Sequence, residues 1–153
     1  MSEMITVGTE TFDIELPKNL TKEVIGEHLG ILSRALSHES DVYEEMAQAI
    51  SGIEGKFRAR KTRFEGLEQV YVAQEKQKSE GRGPTIDALR GSAKIKYKDD
   101  FKELCTLEEA SVSQKILMDA QSRRLKSIEM SIMIRQALLK SVDSDMRNHA
   151  YQS

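Results

Sequence analysis

The sequence predicts a mainly α-helical protein: a short N-terminal β-hairpin, then long antiparallel helices that associate in a coiled-coil-like way. Three observations carry this reading. Apolar residues recur at alternating spacings of four and three over much of the chain. No Gly or Pro occurs from about Asp99 to Asn148. Aromatic residues are only 5% of the 153, Trp is absent and there are two prolines, which is poor material for a β-sandwich or barrel.

The first element is the hairpin, over about residues 4–16. Ile5 and Val7 alternate on one arm, and Phe12, Ile14 and Leu16 on the other. Gly8-Thr9 between them suits a two-residue type II′ turn, with Gly at the first central position, and Pro17 ends the segment. A lone two-stranded hairpin is marginal in water, so it must pack on helices or pair with another chain. We read residues 1–17 as this arm and 18–153 as one elongated helical domain.

Thr21 is placed to cap a helix over Lys22–Leu36, in which Ile25, Leu29, Leu32 and Leu36 form a seam. Ser37–Ser40 reads either as a break or as more helix. From about Asp41 to Glu80 the seam continues through Met46, Ile50, Ile53, Phe57, Phe64, Leu67 and Tyr71, with Arg60 filling one seam position. Gly52, Gly55 and Gly66 interrupt this helix, either allowing close helix approach or marking kinks. Gly81-Arg82-Gly83-Pro84 stops it. Thr85 then caps a short helix through Leu89, which Gly91-Ser92 breaks.

The last helix takes its apolar face from Phe101, Leu104, Ile116, Leu117, Ala120, Leu125, Ile128, Ile132, Leu138, Leu139, Val142 and Met146. Fifty such residues would span roughly 75 Å at about 1.5 Å each. Helices of this length joined by a short loop lie antiparallel, and their surplus apolar surface calls for a homo-oligomer.

The formal net charge is −2, but it is unevenly spread: −7 over residues 1–50, +4 over 51–100 and +1 over 101–153. An acidic front suits protein contacts and a basic middle suits phosphates. No apolar run is long enough to span a membrane. A surface-lying amphipathic helix would want Trp and a wide apolar face. Met1-Ser2-Glu3-Met4 lacks the start of a signal peptide. The expected location is therefore cytoplasmic.

The residues do not point to an enzyme, and no cofactor is expected. Gly81-Arg82-Gly83-Pro84 lacks the preceding strand and the Lys-Ser/Thr of a phosphate loop. Ser37-His38-Glu39-Ser40-Asp41 holds the letters of a catalytic triad, but such close neighbours cannot converge on one substrate atom. His28, His38 and His149 show no ligand spacing for a metal. Cys105, the single cysteine, reads as a small apolar residue.

The strongest chemical signal is Lys56-Phe57-Arg58-Ala59-Arg60-Lys61-Thr62-Arg63-Phe64, with five basic residues and no acid in nine positions. On a helix it forms a cationic collar around the seam. Guanidinium forks suit phosphate oxygens, and aromatic rings suit unpaired bases. Lys94-Ile95-Lys96-Tyr97-Lys98 is a second basic run that chain reversal could bring near the first. A solvated mixed-charge helix face explains such runs as well, and Phe57 and Phe64 fit either the seam or a base-stacking role.

Two stretches resemble the UvsY-type recombination mediators of tailed bacteriophages. One is Arg58-Ala59-Arg60-Lys61-Thr62-Arg63-Phe64-Glu65-Gly66, similar to that family's basic Lys-Ala-Arg stretch with its aromatic pair and glycine. The other is Lys102-Glu103-Leu104, Ile116-Leu117-Met118-Asp119 and Leu125-Lys126-Ser127-Ile128, similar to its C-terminal helix. Arg63 replaces one aromatic, and the stretch between the two regions is longer here. The resemblance implies a non-enzymatic protein that forms ring-like homo-oligomers and binds single-stranded DNA. Such a protein helps a RecA-like recombinase displace single-strand-binding protein. It implies Arg58 and Arg60 as DNA contacts. Charge adds Lys56, Lys61, Arg63, Lys94, Lys96 and Lys98, and Phe64 completes the candidate DNA-binding set. The alternative reading is a structural or adaptor helical oligomer, such as a virion-assembly or scaffold component, that does not bind DNA.

Overall fold

The computed structural model describes residues 2–79 and 81–152. The alternating N-terminal residues form two antiparallel strands, β1 (Met4–Val7) and β2 (Glu10–Asp13), in a register that pairs Met4 with Asp13 and Val7 with Glu10. Gly8 turns the chain at φ +64° while Thr9 keeps a negative φ, as the predicted turn requires. A side chain at Gly8 would be strained there.

Three helices follow: α1 (Lys22–Lys78), α2 (Ile86–Lys96) and α3 (Lys98–Gln152). The Thr21 hydroxyl accepts the Val24 backbone N–H at 3.3 Å and so caps α1. α1 runs unbroken through Ser37–Ser40, because the heptad seam continues there with Glu39 buried in it. Its expected end at Glu80 lies outside the described residues. α1 is not broken at Gly52, Gly55 or Gly66, and no atom of this chain lies within 4 Å of where a side chain there would begin, so no helix of the same chain makes a close approach at them.

Thr85 caps α2 as predicted, accepting the Ala88 N–H at 3.2 Å. The helix does not break at Gly91-Ser92. The Ser92 hydroxyl donates to the Ala88 carbonyl at 3.1 Å, and the buried Leu89 and Ala93 hold α2 down on either side. Tyr97 is the one non-helical residue between α2 and α3, at φ −103° and ψ 44°.

The chain divides into two compact units, Met1–Glu45 with Met118–Ser153, and Met46–Leu117. The boundary expected after residue 17 is not where they separate, because the hairpin shares the core of the first unit. In that core Ile14, Leu32, Ala35 and Ile128 are buried together, with Ile5, Val7, Ile31, Leu36 and Ile132 packed against them. The hairpin thus packs on helices of its own chain.

Two buried polar layers cross the seam of the first unit. Gln121 Nε2 donates to the Glu39 carboxylate at 2.6 Å and to the Glu39 carbonyl at 2.9 Å, and Arg124 pairs with the same carboxylate at 2.9 Å. Arg135, 2% exposed, donates to the Ile14 carbonyl at 2.6 Å, to the Ser131 carbonyl at 3.3 Å and to His28 Nδ1 at 3.4 Å. Lys22 and Asp143 form an exposed ion pair.

In the second unit Ile50, Phe64, Leu89 and Ala93 are buried. Phe64 packs against Phe101 with ring centroids 5.5 Å apart. Such a buried side chain contributes about 1.5–3 kcal/mol through the area it removes from water.

One part of the predicted apolar face of α3 is wrong. Ile116, Leu117, Ala120 and Met146 are exposed. The inward positions are held by Ser111, Gln114, Met118 and Gln121, which keep the four-three spacing largely with polar residues. No helix among the described residues is long and apolar enough to cross a membrane.

Candidate nucleic-acid interface

Both basic runs fall within the second unit, and the sequence asymmetry becomes an asymmetry between units. Residues 46–117 carry a formal charge of +3, and residues 1–45 with 118–153 carry −5. The collar sits on α1, where Lys56, Arg58, Lys61 and Arg63 are exposed and Arg60 is half-buried at its seam position. Lys94, Lys96 and Lys98 lie on α2 and the start of α3, all exposed.

Four of the five collar cations have a carboxylate nearby. Arg60 pairs with Glu103 at 3.1 Å and Arg63 with Asp100 at 3.6 Å, both across to α3. Arg58 lies 3.8 Å from Glu54 and Lys61 4.0 Å from Glu65, each one turn away on α1. Such exposed pairs are worth about 0–1 kcal/mol each, so a phosphate can replace the carboxylate at little cost. Lys56, Lys94, Lys96 and Lys98 form no ion pair among the described residues. A groove of about 340 Å³ beside the collar has Phe57 in its wall and a lining of mixed charge, with Arg58, Lys61 and Lys115 alongside Glu54 and Glu108.

Phe64 does not belong to an exposed surface. It is 5% exposed and packed against Phe101 at a tilt of 40°, so it supports the collar from beneath and cannot offer its ring to a base. Phe57 is half-buried.

The second basic run is organised by aromatic rings. Lys94 Nζ lies 5.2 Å from the Phe101 centroid. Lys96 Nζ lies 5.2 Å from the Tyr71 centroid and 5.5 Å from that of Tyr97. The two tyrosine rings meet edge to face, 6.4 Å apart at 86°. Sequence reasoning placed Tyr71 in the seam and assigned Tyr97 no role. The available signal was an aromatic residue inside a lysine run, between Lys96 and Lys98.

Among the described residues there is no group of three or more His, Cys, Asp and Glu side chains that could hold a metal ion. Comparison with known protein families, curated proteins and solved structures finds no match to this chain.

Proposed function

We propose that this protein is a non-enzymatic recombination mediator. In this reading it binds single-stranded DNA as a homo-oligomer, ring-like by resemblance to the UvsY-type proteins, and helps load a RecA-like recombinase onto DNA covered by single-strand-binding protein. The observation that carries the DNA-binding part is the gathering of both basic runs in one compact unit with an excess of positive charge. One collar is a weak binder, and several in an oligomer make a strong, salt-sensitive track. Met130, Met133 and Ile134 on α3 are exposed apolar residues available for association. The acidic first unit, repelled by DNA, is suited to the protein partners.

The test is binding of a labelled single-stranded oligonucleotide at about 50 mM and about 200 mM salt, a range over which phosphate-driven affinity falls steeply. Wild type binds and weakens as salt rises. Arg58→Ala with Arg60→Ala lowers affinity and flattens the salt slope by about 0.7 for each phosphate left without its cation, with the oligomer's mass unchanged. Unchanged binding in the double variant refutes the site. No binding by wild type at low salt refutes the class and leaves the structural or adaptor oligomer.

A further inference from the structure

Phosphate contacts explain affinity for any nucleic acid, but not a preference for unpaired bases, which needs an accessible aromatic surface. The second unit holds five aromatic residues, Phe57, Phe64, Tyr71, Tyr97 and Phe101. Phe64 is buried and packs against Phe101 at a tilt of 40°, which covers part of the half-buried Phe101 ring from the inside. Tyr71 and Tyr97 form a separate pair, half-buried, and neither phenol has a hydrogen-bond partner among the described residues. An apolar ring with a wet polar tip is the form tyrosine takes at binding surfaces.

We propose that Tyr71 and Tyr97 form the base-binding platform of the second unit, with Lys96 as its phosphate partner; this rests on the nucleic-acid reading above. At 86° the two rings make a corner, one face meeting one edge. The Lys96 ammonium lies within 5.5 Å of both centroids and Lys96 is itself exposed, so the corner faces the surface with the ammonium covering it, and a ligand must displace that ammonium to enter. A flat base entering it stacks on one ring and meets the edge of the other. The flexible lysine stem then swings its charge from the rings to the adjoining phosphate, exchanging a cation–π contact for an ion pair. Tyr97 is well placed for this, since it occupies the single break between α2 and α3 and is flanked in sequence by Lys96 and Lys98. Tyr71 is held by α1, two turns beyond the buried Phe64, so the platform has a rigid side and a side at a bend.

The experiment compares an oligo-dT strand with an abasic strand of the same length, by fluorescence anisotropy at low salt. Wild type is expected to bind oligo-dT about tenfold more tightly than the abasic strand. Tyr97→Leu removes that preference, bringing oligo-dT binding down to that of the abasic strand, while Tyr97→Phe keeps most of it. A second measurement needs no variant: with no Trp and four Tyr in the chain, intrinsic emission reports tyrosine alone. Oligo-dT quenches it and the abasic strand does not. Equal wild-type binding of the two strands, or a preference that survives Tyr97→Leu, overturns this inference and leaves phosphate binding standing. Failure of both strands to bind overturns the nucleic-acid reading and this inference with it.

Discussion

The buried Arg135 provides the sharpest test of how the first unit is held together, through the substitution Arg135→Ala. Its guanidinium reaches the hairpin at the Ile14 carbonyl, at 2.6 Å, and α1 at His28 Nδ1, at 3.4 Å. Its approach to Glu3 is longer, at 3.7 Å, and that carboxylate is half-exposed, so the pair adds little. Removing the side chain deletes a charge-assisted hydrogen bond worth about 1.5–3 kcal/mol and leaves buried acceptors unpaired at about 1–3 kcal/mol each. It also leaves a cavity where the arginine stem packed. The substitution in turn relieves the cost of burying a charge, which offsets part of the loss. The expected net destabilisation is about 3 kcal/mol, an order-of-magnitude figure from those terms. Urea unfolding followed by circular dichroism measures it, and amide exchange in β1 and β2 locates it in the hairpin. A loss below about 1 kcal/mol, or hairpin protection equal to that of wild type, would refute the role given to this guanidinium.

Two further predictions use the same structure. Burial, and then the Arg135 guanidinium, hold His28 below its ordinary value of 6.5, against the opposing pull of Glu27, Asp13 and Glu3. The unfolded chain therefore takes up this proton first as pH falls, so the stability is complete above about 6.5 and is lost as pH drops through the lower folded-state value. Urea midpoints at about pH 7.5 and about pH 5 should show the fall, and His28→Gln should reduce it; an equal fall in both proteins would exclude His28 as the source. Gly52→Ala, Gly55→Ala and Gly66→Ala place a methyl group in open space on α1 and should each raise stability by about 0.5–1 kcal/mol in the same assay. A loss at any of them would mean the glycine meets a close neighbour after all.

The seam of α1 was readable because its heptad positions are nearly all apolar: Ile25, Leu29, Leu32, Leu36, Met46, Ile50, Ile53, Phe57, Phe64, Leu67 and Tyr71 are all buried or half-buried. Arg60 occupies its seam position half-buried, and its guanidinium reaches Glu103 on α3. The seam of α3 was harder to read. Hydrophobic periodicity detects a core position only when the residue there is apolar, and α3 turns Ser111, Gln121 and Arg135 inward. The last two have partners on α1, Glu39 and His28, more than 80 residues away in the chain. A polar seam residue is recognisable only with its partner, and one sequence does not reveal that pairing.

The same reasoning separates the legible part of the candidate site from the rest. A cationic run announces itself because charge needs no partner to be counted, and Lys56 to Arg63 stood out for that reason. What each cation does depends on the acids packed opposite it, and Glu103 and Asp100 on α3 change Arg60 and Arg63 from free charges into exchangeable pairs. Aromatic residues behave in the opposite way. Phe64 and Tyr71 lie seven apart on one helix face and look equivalent in sequence, but each takes its role from the ring it meets. Phe64 meets Phe101 within the apolar interior, and Tyr71 meets Tyr97 beneath a lysine. Both pairs have a lysine above one ring, Lys94 over Phe101 and Lys96 over the two tyrosines, so the distinction lies in burial: Phe64 is 5% exposed, while Tyr71 and Tyr97 are both half-buried. The base preference of any bound strand should therefore follow Tyr97 and not Phe64.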